Sequence, residues 1–315
     1  MNNGTFKPVS EFILLGFPGY QDKQSKTILS SFFLFVYIVI LIENILILLV
    51  ILLEEKLHKP MYYFVSNLAI SGIFIGTVII PKMVANLMFN LNTISFQGCL
   101  MQAVMYSASF QVQMYVLSAM CYDRVVAVCS PLHYATVITM LKLLVLCWLL
   151  PSLSYLLLLC FALRLSFCGP HILQSCHCYH SILIKLSCTD NTINNITGLT
   201  VALTHIAVCS IVFVISYAKI LISVLKIKSP GGHRKALQTC GAHLCVLSTT
   251  LLASAFVYIC NRMPSFSDDA RLIVTMVQNF LCPIMNPIVY ALMTTEIKES
   301  VKRFLRKNLI RPMLS

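Results

Sequence analysis

Long apolar stretches recur along this chain, and short segments that hold most of the charged residues separate them. A helix needs about 20 apolar residues to cross the roughly 30 Å hydrocarbon core of a bilayer. Seven stretches are long enough, and because lipid offers no water to unpaired backbone groups, each is predicted to be a helix. These seven spans cover residues 28–53, 61–89, 98–129, 141–163, 195–225, 235–260 and 270–293.

The composition agrees with a chain embedded in lipid. Only 11% of the 315 residues are charged, whereas soluble domains carry about a quarter charged residues. The net charge of +12 would suit a nucleic-acid partner, but the basic residues gather between spans and at the C-terminus, which argues against one. We therefore predict an all-α membrane protein with an N-terminal segment 1–27, a membrane domain 28–293 and a C-terminal segment 294–315.

The basic residues also predict the orientation, because cytoplasmic loops carry an excess of Lys and Arg. With the N-terminus outside, fifteen of the 23 basic residues fall inside. They are Lys56, Lys59, Arg124, Lys142, Lys219, Lys226, Lys228, Arg234, Lys235 and six more between Lys298 and Arg311. A glycosylation sequon at Asn3 fits an external N-terminus. A three-residue pattern is weak evidence alone, and a second one begins at Asn195.

The C-terminal segment has an amphipathic pattern. Over residues 294–307 the apolar side chains fall on one helical face, with basic side chains around it. The apolar set is Ile297, Val301, Phe304 and Leu305, and the basic set is Lys298, Lys302, Arg303 and Arg306. We expect an eighth helix lying on the inner leaflet. The alternative is a disordered basic tail.

Five of the fourteen cysteines lie where an oxidising exterior is expected: Cys99, Cys168, Cys176, Cys178 and Cys188. Disulfides are therefore expected there. Five cysteines cannot all pair, and spacing alone does not choose the partners. The stretch 176–180 also alternates Cys and His, which are ligands for zinc or copper. Because oxidised cysteines cannot serve as thiolate ligands, we favour disulfides and packing over a metal site.

Two polar motifs stand inside spans. Asp123 and Arg124 lie at the inner end of span three, and charge at membrane depth is costly enough to suggest a function. In span seven, Pro283, Asn286 and Pro287 interrupt the helical hydrogen bonds ahead of Tyr290. Either motif alone is also compatible with a kink or a satisfied ion pair. Together, in the third and seventh of seven spans, they resemble the rhodopsin-like G-protein-coupled receptors.

Four further segments narrow the resemblance to vertebrate odorant receptors. They are residues 57–64 (LHKPMYYF), Ser216-Tyr217, residues 235–243 (KALQTCGAH) and the loop text LSCTD at 186–190, which resembles the fish-like class I branch. The resemblance implies a seven-transmembrane bundle with an amphipathic eighth helix, in the plasma membrane. It also implies a small odorant as ligand, a stimulatory heterotrimeric G protein that raises cyclic AMP, membrane lipid as surroundings, and no cofactor, metal or enzymatic activity.

The same resemblance implies roles for particular residues. It pairs Cys99 with Cys178 and Cys168 with Cys188, which leaves Cys176 over. Asp123 and Arg124 would pair in the inactive state, and Tyr217 and Tyr290 would meet Arg124 as span six swings outward. The other residues expected in the switch or at the G-protein contact are Pro131, Leu132, the segment 226–235 with Lys235, then His243, Asn286 and Pro287.

Ligand sites in helical bundles form between helices and are mostly apolar with a few polar anchors. The outer halves of the spans offer Tyr106, Ser107, Phe110, Gln111, Thr204, His205, Tyr258, Arg262, Met276 and Asn279. Several of these must simply be packing residues. The resemblance to class I odorant receptors implies that Arg262 binds the carboxylate of an acidic odorant, and a guanidinium suits that role because it forms two parallel charge-assisted bonds. The alternative, which we slightly favour, is that Arg262 pairs with Asp268 or Asp269.

The sequence departs from the odorant-receptor pattern in its polar core. Glu43 stands before Asn44 in span one where the family usually has Gly, and the acids usual in spans two and three are replaced by Gly72 and Gln113. One hypothesis is that Glu43 projects into the central polar cavity and replaces the lost charge. The alternative is a protonated Glu43 that faces a neighbouring helix or the lipid boundary.

Rival functions lack the residues they need. A retinal photopigment requires a lysine in span seven, and residues 268–293 contain none. An amine receptor requires an acid in outer span three, and residues 98–113 contain none. A transporter would place several ionisable groups at mid-membrane, whereas only Glu43 lies deep in a span here. An intramembrane hydrolase needs a convergent nucleophile and base, and no such set is visible. The remaining alternative is a rhodopsin-like receptor for a non-odorant metabolite such as a fatty acid.

Overall fold

The computed structural model describes residues 9–129, 137–168, 171–225, 230–263 and 265–306. Each predicted span corresponds to one long helix, and two shorter helices accompany them. The long helices are α1 (Lys23–Leu53), α2 (Pro60–Phe89), α3 (Phe96–Cys129), α4 (Val137–Ala162), α6 (Thr192–Leu225), α7 (Pro230–Arg262) and α8 (Asp268–Met293). The short ones are α5 (His180–Ile184) and α9 (Thr295–Leu305), and a single 3-10 turn covers Glu55–Leu57.

Helices α1 and α8 begin earlier than hydropathy predicts because polar capping residues start them. The backbone N–H of Ser25 donates to Asp22 Oδ2 at 2.8 Å, so α1 starts at Lys23 rather than at residue 28. The N–H of Ala270 likewise donates to Ser267 Oγ at 3.2 Å at the start of α8. Hydropathy therefore marks the apolar part of each helix, and capping chemistry marks its true end.

By length and composition, five of the long helices in the described part of the chain are apolar enough to cross a membrane: α1, α2, α4, α6 and α8. In α7 the side chains of residues 230–240, 242, 243 and 258 are not described, and the apolar stretch found among its described residues is Leu244–Val257. Helix α3 is more polar because it is central, with α2, α4, α6 and α7 packed around it. It buries Gln102, Gln111 and Gln113, side chains that a lipid-facing helix could not carry.

Large apolar side chains cover the outward faces of the helices. Phe35 on α1, Leu225 on α6 and Leu252 on α7 are all highly exposed, and many similar residues surround the bundle. A water-soluble protein rarely exposes so much contiguous apolar surface. This surface agrees with a bundle surrounded by lipid and confirms the predicted all-α membrane architecture.

A three-stranded sheet, which the sequence analysis did not predict, lies at one end of the bundle, here called the sheet end. Strand β1 (Glu11–Leu14) is central, antiparallel to β2 (Thr93–Ser95) and parallel to β3 (Ile172–Leu173). Phe12 and Leu14 of β1 are fully buried. The N-terminal segment is therefore fixed across the loop between α2 and α3 and the loop between α4 and α6.

Helix α9 forms at the opposite end of the bundle and has the predicted amphipathic pattern. Its Ile297 is fully buried and belongs to the same apolar core as Tyr290, whereas Lys298 and Lys302 are exposed. Arg303 donates to Glu54 Oε2 at 3.0 Å, which links α9 to the end of α1. The alternative of a disordered tail is therefore wrong for residues 295–305.

Candidate functional site

Two disulfides hold the loop between α4 and α6 at the sheet end. Cys99 at the start of α3 pairs with Cys178, and Cys168 pairs with Cys188, with Cα–Cα distances of 5.4 and 5.6 Å. These are the pairs that the family resemblance implies. Cys176 remains a free, buried thiol. Since no group of three possible metal ligands occurs among the described residues, the alternative of a metal site at 176–180 finds no support.

A cleft opens beside this loop, between α3, α4 and α5. It holds about 260 Å³ of empty space, including the part open to the surroundings. Its walls are almost entirely apolar, and the residues that line it include Leu100, Ala103, Tyr155, Leu158, His180 and Leu183. An apolar cleft with one or two polar groups is typical of a small-molecule site. The sequence analysis did not assign Tyr155 or His180 to a ligand site; it considered His180 only as part of a metal-binding stretch, and Tyr155 carried no signal.

His180 is the polar group of this cleft. Its Nε2 is buried and has no hydrogen-bond partner among the described residues, and burial lowers the pKa of the ring. Gly198 of α6 makes room for it, because a Cβ at that position would lie 2.9 Å from His180 Cε1. A neutral imidazole is thus pressed between α6 and the cleft, with one nitrogen available to a ligand.

Four of the residues predicted to bind ligand meet between α3 and α8. The Tyr106 hydroxyl donates to Asn279 Oδ1 at 2.8 Å, and the Tyr106 ring lies 6.4 Å from that of Phe110. Met276 and Asn279 on α8 are both buried. Gln111, one turn further along α3, donates weakly to Cys209 Sγ of α6 at 3.9 Å. Tyr106, Phe110, Met276 and Asn279 therefore form one contiguous group, whereas Gln111 contacts α6.

His205 of α6 occupies a different environment. Its Nδ1 lies 2.8 Å from the Tyr115 hydroxyl and its Nε2 lies 3.0 Å from Ser154 Oγ. The ring also stacks on Tyr155, with centroids 6.1 Å apart. Both nitrogens are thus used to join α3, α4 and α6. The neighbouring Thr204 is exposed on the outer face of α6, and Ser107 is half-buried on α3.

The Asp-Arg motif lies at the end of α3 remote from the sheet. Asp123 is fully buried, and Arg124 Nε donates to Asp123 Oδ2 at 3.0 Å. The Arg124 guanidinium makes a second, shorter contact to the same oxygen. Tyr217 of α6 packs on Phe213. The fully buried Tyr290 donates weakly to Met120 Sδ at 3.8 Å. This end of the bundle therefore holds a closed ion pair among buried aromatic side chains.

Comparison with known proteins decides the family. The family model described as "Olfactory receptor" matches residues 33–308. Human olfactory receptor 6N1 is 36% identical over 310 residues, which cover 98% of each chain. Human olfactory receptor 2A12 is 37% identical over 303 residues, covering 95% of this chain and 96% of the relative. Rat olfactory receptor 1468 is 33% identical over 307 residues, 96% of each chain. The chain belongs to the olfactory receptor family.

Squid rhodopsin, a solved structure, has the same fold as this olfactory receptor. Its crystal structure superposes with a TM-score of 0.73 over 93% of this chain and 84% of that chain, at 13% sequence identity. The family consists of signalling receptors rather than enzymes, and the chain is a multi-pass membrane protein with the rhodopsin-like fold. The finer assignment to the fish-like class I branch stays a prediction.

The polar core of this olfactory receptor centres on Asn44. Its Nδ2 donates to Pro283 O at 3.0 Å and to Ile40 O at 2.8 Å. The first bond has a clear reason: the carbonyl of Pro283 would normally accept from residue 287 of the same helix, and Pro287 has no N–H. Asn44 thus supplies the donor that the second proline of α8 removes. A Cβ at Gly72 would lie 3.2 Å from Asn44 Oδ1, so α2 packs directly against this pair.

Asn286 completes this polar core but makes no such bond. Both polar atoms of its side chain, like Asn44 Oδ1 and Gln113 Nε2, are buried with no partner among the described residues. Asn44, Asn286 and Tyr290 line a gap of about 150 Å³ that is too narrow to hold a water-sized sphere. Asn44, Asn286 and Tyr290 therefore form a tightly closed polar cluster, in which Asn44 is the one member of the predicted polar core.

Glu43 does not line this gap. It is half-buried on the neighbouring strip of α1, with Oε2 buried and without a partner among the described residues. Successive residues of a helix point about 100° apart, so Asn44 faces the core while Glu43 faces its flank. This placement favours the second of the two readings of Glu43, a carboxyl group directed at a helix boundary rather than into the cavity.

Some predicted residues fall outside the described part of the chain. Asn3, Pro131 and the segment 226–229 are among them, and the side chains of Tyr258, Arg262, Lys235 and His243 on α7 are not described either. The acids that were expected near Arg262 have other partners: Asp268 pairs with Arg271 at 3.1 Å, and Asp269 Oδ2 accepts from the N–H of Gly19.

Proposed function

We propose that this olfactory receptor binds a small odorant near its sheet end and activates a stimulatory heterotrimeric G protein at the opposite end, which raises cyclic AMP. The observation that carries the proposal is the Asp123–Arg124 ion pair, closed and buried at the end of α3 remote from the cleft. A ligand that favours one arrangement of the helices shifts the equilibrium between closed and open ion pairs. Binding at one end is thereby reported at the other.

In this proposal the sheet end faces outward and the Arg124 end faces the cytoplasm of a plasma-membrane receptor. Both disulfides lie at the sheet end, and disulfides persist in oxidising compartments. The basic residues Lys56, Lys59 and those of α9 lie at the other end, in agreement with the excess of Lys and Arg on the cytoplasmic side. The same orientation places Asn3 outside, where it can be glycosylated.

The ligand would be small and mostly apolar. Of the roughly 260 Å³ of open space at the cleft beside His180, only about 20 Å³ admits the centre of a water-sized sphere, far below the roughly 300–1,000 Å³ of a pocket for drug-sized ligands. Together with Tyr106, Phe110 and Met276 on the facing side of α3 and α8, it offers apolar walls with few polar groups. The remaining polar anchors in this proposal are Gln111, Asn279 and Arg262.

At the cytoplasmic end, the proposal assigns the G-protein contact to Pro131 and the Lys235 end of α7. Asp123 and Arg124 act as the switch, and Tyr217 and Tyr290 meet Arg124 when α7 moves outward. The buried side chains of Asn286 and Pro287 give α8 a polar, weakly bonded point at which to bend.

The test is a cyclic AMP assay on the full-length receptor, expressed with a stimulatory G protein and exposed to carboxylic acids, alcohols, aldehydes and esters. At least one odorant should raise cyclic AMP. Asp123→Asn should raise the basal signal severalfold, because it frees Arg124, whereas Arg124→Ala should abolish the response. Tyr122→Phe, an exposed neighbour, is the matched control and should behave as wild type. Coupling to an inhibitory G protein, or no response to any panel member, would refute the proposal.

A further inference from the structure

A second group of polar side chains lies beneath the N-terminal segment, on the α8 side of α3. His177 is fully buried, and neither of its ring nitrogens has a hydrogen-bond partner among the described residues. Asn279 of α8 is also fully buried, and its Nδ2 has no partner there either. We call Tyr106, His177 and Asn279 the His177 cluster.

Tyr106 brings these two side chains into one group. Its ring meets that of His177 edge-on with centroids 4.7 Å apart, and its hydroxyl donates to Asn279 Oδ1 at 2.8 Å. That hydrogen bond orients the amide, because Oδ1 is occupied and Nδ2 is left to donate. The Tyr179 ring closes the other side of His177 at 5.4 Å. The unpartnered ring nitrogens of His177 and the unpartnered Nδ2 of Asn279 thus belong to two side chains that both contact Tyr106.

Folded proteins rarely leave buried polar atoms unpaired, and an exception asks for an explanation such as a bound molecule. The apolar surroundings agree with a ligand that has an apolar body. Phe17, Cys176, Met276 and Phe280 form one buried cluster, against which Tyr106 and Phe110 pack. Phe17 belongs to the N-terminal segment and stacks on Phe33 of α1, so the N-terminal segment covers this apolar cluster.

The charges around the cluster decide the ligand's chemistry. Burial, with no contribution from a charged side chain, lowers the pKa of His177 to about 4, so the ring is neutral at physiological pH. A neutral imidazole offers one donor and one acceptor, and Asn279 offers a further donor. Burial and, to a smaller extent, the negative charge of the nearby Asp269 carboxylate raise the pKa of the Cys176 thiol, which stands next to His177 in the chain. An anionic ligand would therefore lose its hydration and meet a like charge nearby.

We propose that the His177 cluster is a binding site for a small neutral molecule whose carbonyl or hydroxyl oxygen accepts hydrogen bonds from His177 and Asn279. The proposal rests on the odorant-receptor function and narrows its ligand class. It selects neutral oxygenated molecules over carboxylates, and it places the recognition in the loop residue next to the Cys99–Cys178 disulfide.

The experiment measures binding directly, without G protein. The purified full-length receptor in nanodiscs is heated in the presence of matched probes. Each set contains an aldehyde, an alcohol, a carboxylate and a hydrocarbon that share one skeleton of roughly six to ten carbons. Thermal stabilisation as a function of concentration gives the affinity. At least one aldehyde or alcohol should bind more tightly than its matched carboxylate and hydrocarbon.

Two variants test the named groups. His177→Phe keeps the ring shape and removes both nitrogens, and Asn279→Leu removes the amide. Each should weaken binding of the neutral probe by roughly three- to tenfold, as expected for one hydrogen bond. His58→Phe, the same substitution at the far end, should leave binding unchanged. Without ligand, His177→Phe should melt no lower than wild type, because it removes unpaired buried atoms, and His177→Gln should restore part of the binding.

Failure of this proposal differs from failure of the receptor function. Suppose that odorants raise cyclic AMP. The site is then overturned, and the receptor function stands, if carboxylates bind as well as the matched neutral probes, if no neutral probe stabilises the receptor, or if binding survives both variants. Probe binding that depends on His177 without any G-protein response would support the site and overturn the signalling proposal instead.

Discussion

Replacing Asn44 with Leu should destabilise the receptor through a carbonyl group on another helix. The Asn44 amide donates to Pro283 O at 3.0 Å, and the residue that would otherwise donate to that carbonyl is Pro287. Asn44→Leu therefore leaves a fully buried carbonyl without a donor. The decrease in the free energy of unfolding should be larger than for an ordinary hydrogen bond, whose donor and acceptor can each find another partner.

Two free energies set the range expected for the destabilisation by Asn44→Leu. Interhelical hydrogen bonds in membrane proteins contribute about 0.6 kcal/mol on average, whereas a buried acceptor left unpaired costs about 1–3 kcal/mol. We expect the second figure to dominate, because Pro287 removes the local alternative. For this chain of 315 residues, about 1–3 kcal/mol corresponds to a lowering of Tm by about 2–5 °C. The assay is thermal unfolding of the purified receptor in detergent.

A double-mutant cycle identifies the cause. Pro287→Ala restores an N–H that can donate to Pro283 O within α8, so Asn44→Leu should cost at least about 1 kcal/mol less in that background. Asn67→Leu is a useful contrast: Asn67 bonds to Trp148 and to its own helix, and its loss should not depend on residue 287. Equal destabilisation by Asn44→Leu in both backgrounds would refute the role assigned to the carbonyl.

Three further predictions concern the sheet end. Gly198→Ala should push His180 aside and lower stability by about 1 kcal/mol, measured as Tm, and a Tm at or above that of wild type would contradict the close contact. Cys99→Ser, which opens a link across 79 residues, should destabilise by about 1 kcal/mol more than Cys188→Ser, which opens one across 20, in denaturation of the purified receptor. The folded pKa of His177 is about 4 and the unfolded value is 6.5, so between these pH values only the unfolded chain gains the proton. Stability should therefore fall as pH drops from about 6.5 towards 4, by up to about 3 kcal/mol, and His177→Phe should remove that part of the slope; parallel curves for both proteins would contradict it.

The helices could be predicted from the sequence because the requirement behind them is local. A segment that crosses lipid must be apolar for about 20 residues and must satisfy its own backbone hydrogen bonds. Each span can therefore be recognised from its own residues, independently of the others. The amphipathic face of α9 follows from a similarly local period, and Ile297 is buried as that period predicts. The Asp123–Arg124 pair could be found in the same way, because two adjacent charges near the end of an apolar stretch are conspicuous.

Features that join distant segments were beyond local reasoning. Strands of four, three and two residues carry no pattern, and β1 pairs with residues about 80 and 160 positions away. His205 had the residue type and position of a ligand anchor, yet Ser154 and Tyr115 use both of its nitrogens. His177 and His180 lie in a segment whose path depends on two disulfides, so no periodicity could show that His177 is buried and His180 half-buried.

The clearest division lies between Glu43 and Asn44. The sequence determined that both stand within one apolar helix, since lipid selects for hydrophobic length regardless of rotation about the helix axis. Which of the two enters the core depended on how α1 packs against α2 and α8, where Gly72 allows close approach and Pro283 offers an unpaired carbonyl. Hydrophobicity fixes the length and number of helices one at a time, whereas their rotation, and with it the chemistry of every interior surface, is fixed only when all the helices pack together.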